Sequence, residues 1–231
     1  ARHESGPTND MYWVNNAYHS IPGCGVEITK ANLVDAVAKS STSICYRSDK
    51  AGLGLDDLMY GNKDRSIAVP NMWESFANAL MNEFKTTAKR TVINVGNSKG
   101  VAKTLLGNDI DYIIHYSKWA AVNLDKVTCV INTGDTASLE SFPGTKTMAE
   151  VAPNFAIKTF YDVWFIVTNP KSDADLQNMR KWFKKARSQK HFSNNFKAKA
   201  LEVIDVSFSD ALKIANKAVG DIKMFEKNKT K

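Results

Sequence analysis

Eight polar or aromatic side chains fall where apolar, strand-like runs end, and their types suit capture of a small ligand rather than bond-making. Asn71, Trp73 and Ser75 follow the run Arg65 to Val69 and its closing Pro70. Asn97 and Ser98 lie in Gly96 to Lys99, after Thr91 to Val95. His115 and Tyr116 follow Ile110 to Ile114, and Asn132 ends Lys126 to Asn132 and opens the loop to Asp135. Asn and Ser donate and accept hydrogen bonds without carrying charge. In open α/β sheets, ligands bind at the carboxyl ends of the strands, where free N–H groups at helix starts attract anions. The same residue types also cap helices and form turns. Trp73 can line a cleft or pack beneath a helix, and packing is the commoner use of a core aromatic. From the residues alone both readings stay open.

Other chemistry has little support. HExxH, GxSxG, Walker A and GxGxxG patterns are all absent. His3, His19, His115 and His191 are isolated in sequence and read as surface or satisfied histidines. Asp56 and Asp57 read as solvated acids on a short helix. Cys24, Cys45 and Cys129 have no CxxC spacing and no histidine nearby, which argues against zinc. A Cys24–Cys45 disulfide in an oxidising compartment and three buried thiols are both compatible with the spacing. No catalytic residue, metal or cofactor is expected.

The elements that must position these side chains alternate. Thr91 to Val95 is short, apolar and β-branched, as in a buried strand; Val101, Leu105 and Leu106 fall at helical spacing; Ile110 to Ile114 is again strand-like. The unit is a βαβ crossover, which builds parallel sheets covered by helices, and Leu106 is expected in its core. Strands are further expected at Met11 to Val14, Ser43 to Arg47, Arg65 to Val69, Lys126 to Asn132 and Ile157 to Thr168. Helices are expected at Ala31 to Ala38, Leu55 to Met59, Met72 to Thr86, Thr147 to Glu150, Asp173 to Arg187, Phe192 to Ala200 and Ala211 to Phe225. Tyr18 to Gly25 and Leu139 to Gly144 read as loops, Ala1 to Asp10 as a mobile end and Lys227 to Lys231 as a frayed one.

At 231 residues, with 43% hydrophobic and 24% charged residues, the chain has the composition of a soluble globular protein of one large domain or two small lobes, and its alternation of strands and helices argues for an α/β fold. No apolar run approaches the roughly 20 residues a membrane helix needs. The formal charge of +7 reads first as a lysine-rich solvated surface, and second as attraction for an anion, a membrane surface or nucleic acid. No stretch resembles a nucleic-acid-binding module, so no nucleic acid partner is expected.

Leu105-Leu106-Gly107-Asn108-Asp109-Ile110-Asp111-Tyr112 resembles the L-L-G-G-x-V-D-F segment of the extracytoplasmic solute-binding receptors of tripartite tricarboxylate transporters. Ile44 to Leu58, Arg65 to Ala77, Phe142 to Glu150 and Thr159 to Thr168 resemble further segments of that family, so the resemblance covers most of the chain from about Ile44 onward. Asn94-Val95-Gly96-Asn97 stands where the family has P-Y-K-G. The family's opening strand and P-F-x-x-G-G loop find no counterpart before Met11.

The resemblance implies an α/β, periplasmic-binding-protein-like, two-lobed fold with parallel sheets flanked by helices. Residues 1–64 and 159–231 would form a discontinuous, incomplete first lobe, and residues 65–158 the second. It implies a non-enzymatic receptor for a small carboxylate that feeds membrane transporter subunits from the periplasm or another extracytoplasmic space. Asn71, Trp73, Ser75, Asn97, Ser98, His115, Tyr116 and Asn132 would line its ligand site. The alternative is a structural or interaction protein that reuses the scaffold as a subunit of a larger surface or virion assembly. An incomplete first lobe leaves apolar sheet uncovered. Met11 to Val14 pairing back onto it is one outcome; the apolar strand Val163 to Val167 fits the other, a homo- or hetero-oligomer formed through that lobe rather than through the lysine-rich helices, and association is the expectation.

Overall fold

β-branched and apolar runs supply the strands, and side-chain caps from Asn97, Thr147 and Ser172 start three of the helices. The computed structural model describes residues 11–16, 27–135, 142, 144–198 and 201–228. The expected loop Tyr18 to Gly25, the mobile end Ala1 to Asp10 and most of Leu139 to Gly144 and of Lys227 to Lys231 lie outside them. The strands are β1 Met11–Asn15, β2 Leu33–Arg47, β3 Arg65–Val69, β4 Arg90–Asn94, β5 Tyr112–Tyr116, β6 Val127–Asn132, β7 Lys146–Thr147, β8 Tyr161–Thr168 and β9 Glu202–Val203. The helices are α1 Leu55–Tyr60, α2 Glu74–Met81, α3 Ser98–Leu106, α4 Ser117–Ala121, α5 Met148–Val151, α6 Asp173–Arg187, α7 Lys190–Ala198 and α8 Phe208–Asn228.

The chain divides into two compact units, residues 1–40 with 162–224, and residues 41–161 with 225–231. The first boundary falls inside β2, so residues 41–64 group with β3 to β5, whereas the sequence reading places them before a boundary at residue 64. The 15-residue β2 is continuous and contributes its first half to one unit and its second half to the other.

In the second unit the strand order is β7-β6-β2-β5-β3-β4. β3 pairs in parallel with β4 and β5, β6 in parallel with β7, and β2 runs antiparallel to both β5 and β6. The expected parallel sheet through Ile67–Val69, Thr91–Val95 and Tyr112–Ile114 is therefore present. β3, β4, β5 and β6 all end on the same side, where Ser41, Thr42 and Ser43 of β2 also lie. At the other end, Arg65 grips Asp57 through two 2.8 Å hydrogen bonds, Tyr112 Oη donates to Asp57 at 2.7 Å, and Arg90 donates to the carbonyls of Leu58 and Asp57 at 2.7 Å. Gly96 takes φ +84° between β4 and α3, a left-handed turn that disfavours a side chain.

In the first unit, β1 lies antiparallel on β8 from Met11 opposite Thr168 to Asn15 opposite Trp164, β8 neighbours β2, and β9 pairs with Ala38 and Lys39 of β2. α6 packs Leu176 and Phe183 on Val34, Val37 and Ile166. Ser172 caps α6 by accepting from the Asp175 amide at 3.2 Å. Thus Met11 to Val14 does pair back onto the sheet.

Several expectations are corrected. Ala31 to Ala38 is not a helix: its apolar run, Leu33, Val34, Ala36, Val37 and Ala38, is the buried start of β2. A strand covered on both faces carries an unbroken apolar run, and spacing alone does not separate it from a short buried helix. The helix Met72 to Thr86 is shorter, a 3₁₀ turn at Asn71–Trp73 followed by α2. The strand Ile157 to Thr168 begins only at Tyr161. Leu106 is 45% exposed, while Val101 and Leu105 are buried against Ala68, Ile113 and the Cys45–Cys129 pair. Cys45 is bonded to Cys129 across β2 and β6, not to Cys24.

Candidate functional site

All eight expected residues lie in the second unit, on the side where β3, β4, β5 and β6 end. They fall into three local groups. After β3, Asn71 is exposed and its amide donates to the Gly96 carbonyl at 3.3 Å, tying two loops together. Trp73 is fully buried, packs its edge on Tyr116 with ring centroids 4.7 Å apart, and leaves Nε1 without a hydrogen-bond partner among the described residues. Ser75 is buried within α2.

After β4, the Asn97 side chain accepts from the Gly100 amide at 3.0 Å and so caps α3. The Ser98 carbonyl accepts from His115 Nε2 at 3.0 Å, because a carbonyl can only accept. His115 packs against Trp119 at a tilt, with ring centroids 4.2 Å apart. Burial lowers its pKa to about 4, outweighing the pull of the Ser98 carbonyl. His115 is thus neutral at neutral pH, with its proton on Nε2.

After β6, Asn132 is fully buried. Its amide donates to Ser43 Oγ at 3.0 Å and Ser117 Oγ at 2.9 Å, and its carbonyl accepts from the Gly134 amide at 2.7 Å. Ser117 Oγ also lies 2.9 Å from Ser41 Oγ and 3.0 Å from Ser43 Oγ. Beside them, Thr133 Oγ1 accepts from the Thr42 amide at 3.0 Å and donates to the Phe160 carbonyl at 2.7 Å.

The sequence reading missed Ser41, Thr42, Ser43, Ser117 and Thr133, and also Glu74, which accepts from Asn94 Nδ2 at 2.9 Å. The signal was available: Ser40-Ser41-Thr42-Ser43 is an unbroken hydroxyl run between Leu33–Ala38 and Ile44–Cys45. Four small hydroxyls inside a buried strand need polar partners, which marks the place where the sheet edge turns polar.

Beside the Glu74 carboxylate, the arrangement offers neutral hydrogen bonds: hydroxyls, carboxamides, an indole N–H and the amides at the start of α3. Among the described residues His115 bonds the Ser98 carbonyl rather than a serine hydroxyl, so no Ser–His nucleophile pair forms. Among the described residues no group of three or more His, Cys, Asp or Glu is placed to hold a metal.

No family model matches the sequence, and no curated protein matches it. Solved structures do. A TctC solute-binding protein from Polaromonas superposes with TM-score 0.74 at 14% identity, covering 99% of this chain and 82% of that one. The periplasmic binding protein BugD gives TM-score 0.71 at 14% identity, covering 96% and 79%. A Rhodopseudomonas palustris protein solved with adipate gives TM-score 0.71 at 9% identity, covering 94% and 76%. Over nearly its whole length, this chain has the α/β fold of the TctC- and BugD-type periplasmic binding proteins.

Proposed function

We propose that this chain is an extracytoplasmic solute-binding protein for a small carboxylate, which it hands to a tripartite tricarboxylate-type transporter in the membrane. The observation that carries this is the polar edge described above: buried neutral donors, with no lysine or arginine among them, at the strand ends of a TctC-type fold. Such a site holds an anion through oriented dipoles and releases it readily, because no ion pair must be broken. The Cys45–Cys129 disulfide fits an oxidising compartment outside the cytoplasm.

A second reading has its own support. Asn97 and Asn132 spend their side-chain oxygens on the backbone, and Trp73 is wholly buried. These are the marks of caps and packing, and they favour a scaffold kept for assembly. Thermal unfolding across a panel of di- and tricarboxylic acids separates the two. A ligand of the folded state raises the melting temperature by mass action. A rise with one class of acid is the expected result; no shift with any acid at millimolar concentration favours the assembly reading.

A further inference from the structure

The basic residues of α6 and α7 divide by direction. The arginines turn inward: Arg187 is buried, 2.7 Å from both Asp35 and Asp205, and Arg180 donates to the Leu33 and Lys30 carbonyls at 2.8 Å while lying over the Phe208 ring. These bonds fasten α6 to its unit. The lysines stay outside: Lys181, Lys184, Lys185 and Lys190 are exposed and make no ion pair among the described residues. From Arg180 to Leu201 the sequence contains no acid. The acids nearby are Asp173 and Asp175 at the far, N-terminal end of α6, Asp35 and Asp205 on Arg187, and Glu202 on Lys39.

Among these lysines stands Trp182, 60% exposed. A second exposed indole, Trp13, touches Phe196 of α7 with centroids 5.6 Å apart. Exposed tryptophan beside unpaired lysines is costly to leave in water and suits a boundary between headgroups and acyl chains, where the indole body is dry and its N–H wet. Lysine carries a compact charge on a flexible stem, which suits a fluid array of phosphates better than a fixed protein epitope.

We propose that the outer face of α6 and the start of α7 is a docking surface for anionic phospholipid. Lys181, Lys184, Lys185 and Lys190 would attract the headgroups, with Trp182 as the shallow anchor. The surface belongs to the first unit and does not depend on whether a carboxylate binds in the second.

Co-sedimentation of the full chain with vesicles of phosphatidylcholine, alone or mixed with phosphatidylglycerol, tests this at low and high salt. Binding should require phosphatidylglycerol and weaken with salt. Each lysine changed to glutamine should weaken it roughly five-fold, so the Lys181→Gln/Lys184→Gln/Lys185→Gln variant should lose on the order of a hundred-fold. Trp182→Ser should also weaken it, with an unchanged melting temperature, since all four side chains are exposed. Equal binding to both vesicle types, no binding at low salt, or a triple variant that binds like the parent overturns the proposal. Salt-sensitive capture by polyglutamate without vesicle binding also overturns it, and assigns the face to an acidic protein.

Discussion

His115 Nε2 lies 3.0 Å from the Ser98 carbonyl oxygen, so the end of β5 is held to the start of α3 by an imidazole that must keep its proton on Nε2. Burial lowers the His115 pKa to about 4. The unfolded chain takes up a proton near pH 6.5, and the folded chain does not until near pH 4. The stabilisation is complete above the unfolded value and is lost as pH falls through this window. Between about pH 7.5 and about pH 5 it amounts to about 2 kcal/mol. Denaturant unfolding at the two pH values should show most of this loss disappear in His115→Gln. An unchanged pH dependence in that variant would refute the assignment.

Asp35 acts in the opposite sense. Burial lifts its carboxyl to about 6 even though Arg187 lies 2.7 Å away. Here the folded state holds the extra proton, so stability falls as pH rises from the unfolded value of about 4 to about 6. Over the interval used for His115 it offsets about 1 kcal/mol of the loss on acidification. Asp35→Asn should therefore be more acid-sensitive than the parent, whatever its absolute stability. A parent and variant with parallel pH profiles would mean that Asp35 titrates normally.

Leu105→Ala should cost about 2–5 kcal/mol in denaturant melts, and Leu106→Ala under about 1 kcal/mol. Leu105 is fully buried among Val101, Ile113 and the disulfide, whereas Leu106 is 45% exposed. Equal costs would show that the helix face is rotated from the one described.

These two leucines show how far the sequence was legible. Val101, Leu105 and Leu106 announced the helix, and β-branched runs announced the strands on either side, so the crossover was readable from local pattern. Which leucine faces the sheet depends on a rotation of about 100° per residue, and adjacent leucines leave that open. At Ala31 to Ala38 the limit was different. Val34 and Val37 suit either a buried strand or a short helix, and only the partners of β2 decide between them. The site was legible as loops at strand ends. Its hydroxyl run, Ser40 to Ser43, stood in plain sequence, but the partners of that run did not, because Ser43 lies 74 positions from Ser117 and 89 from Asn132.

The Cys45–Cys129 bond closes a loop across 84 positions. In the chain-entropy account a loop of that length stabilises by about 4–5 kcal/mol. Melts with and without reductant should differ by several kcal/mol, and Cys45→Ala/Cys129→Ala should match the reduced parent. A parent indifferent to reductant, although alkylation labels two more thiols after reduction than before, would mean that the bond adds nothing to stability.

β1 covers the edge of β8, from Thr168 opposite Met11 to Trp164 opposite Asn15, and Asn16 Oδ1 accepts from the Val163 amide at 2.7 Å. Val163, Phe165, Ile166 and Val167 of that strand are all buried. Removing residues 1–16 strips a row of backbone hydrogen bonds from β8 and uncovers the apolar surface beneath. An open apolar strand edge seeks another strand. The truncated chain should therefore self-associate at micromolar concentration in sedimentation velocity, with a species distribution that shifts upward with concentration relative to the full chain. The Cys45–Cys129 bond and the β3–β4–β5 sheet lie in the other unit, so the parent circular dichroism should largely persist. A truncated chain that sediments like the parent at every concentration would show that the β8 edge can be closed without β1, and that this pairing is not what keeps the unit from association.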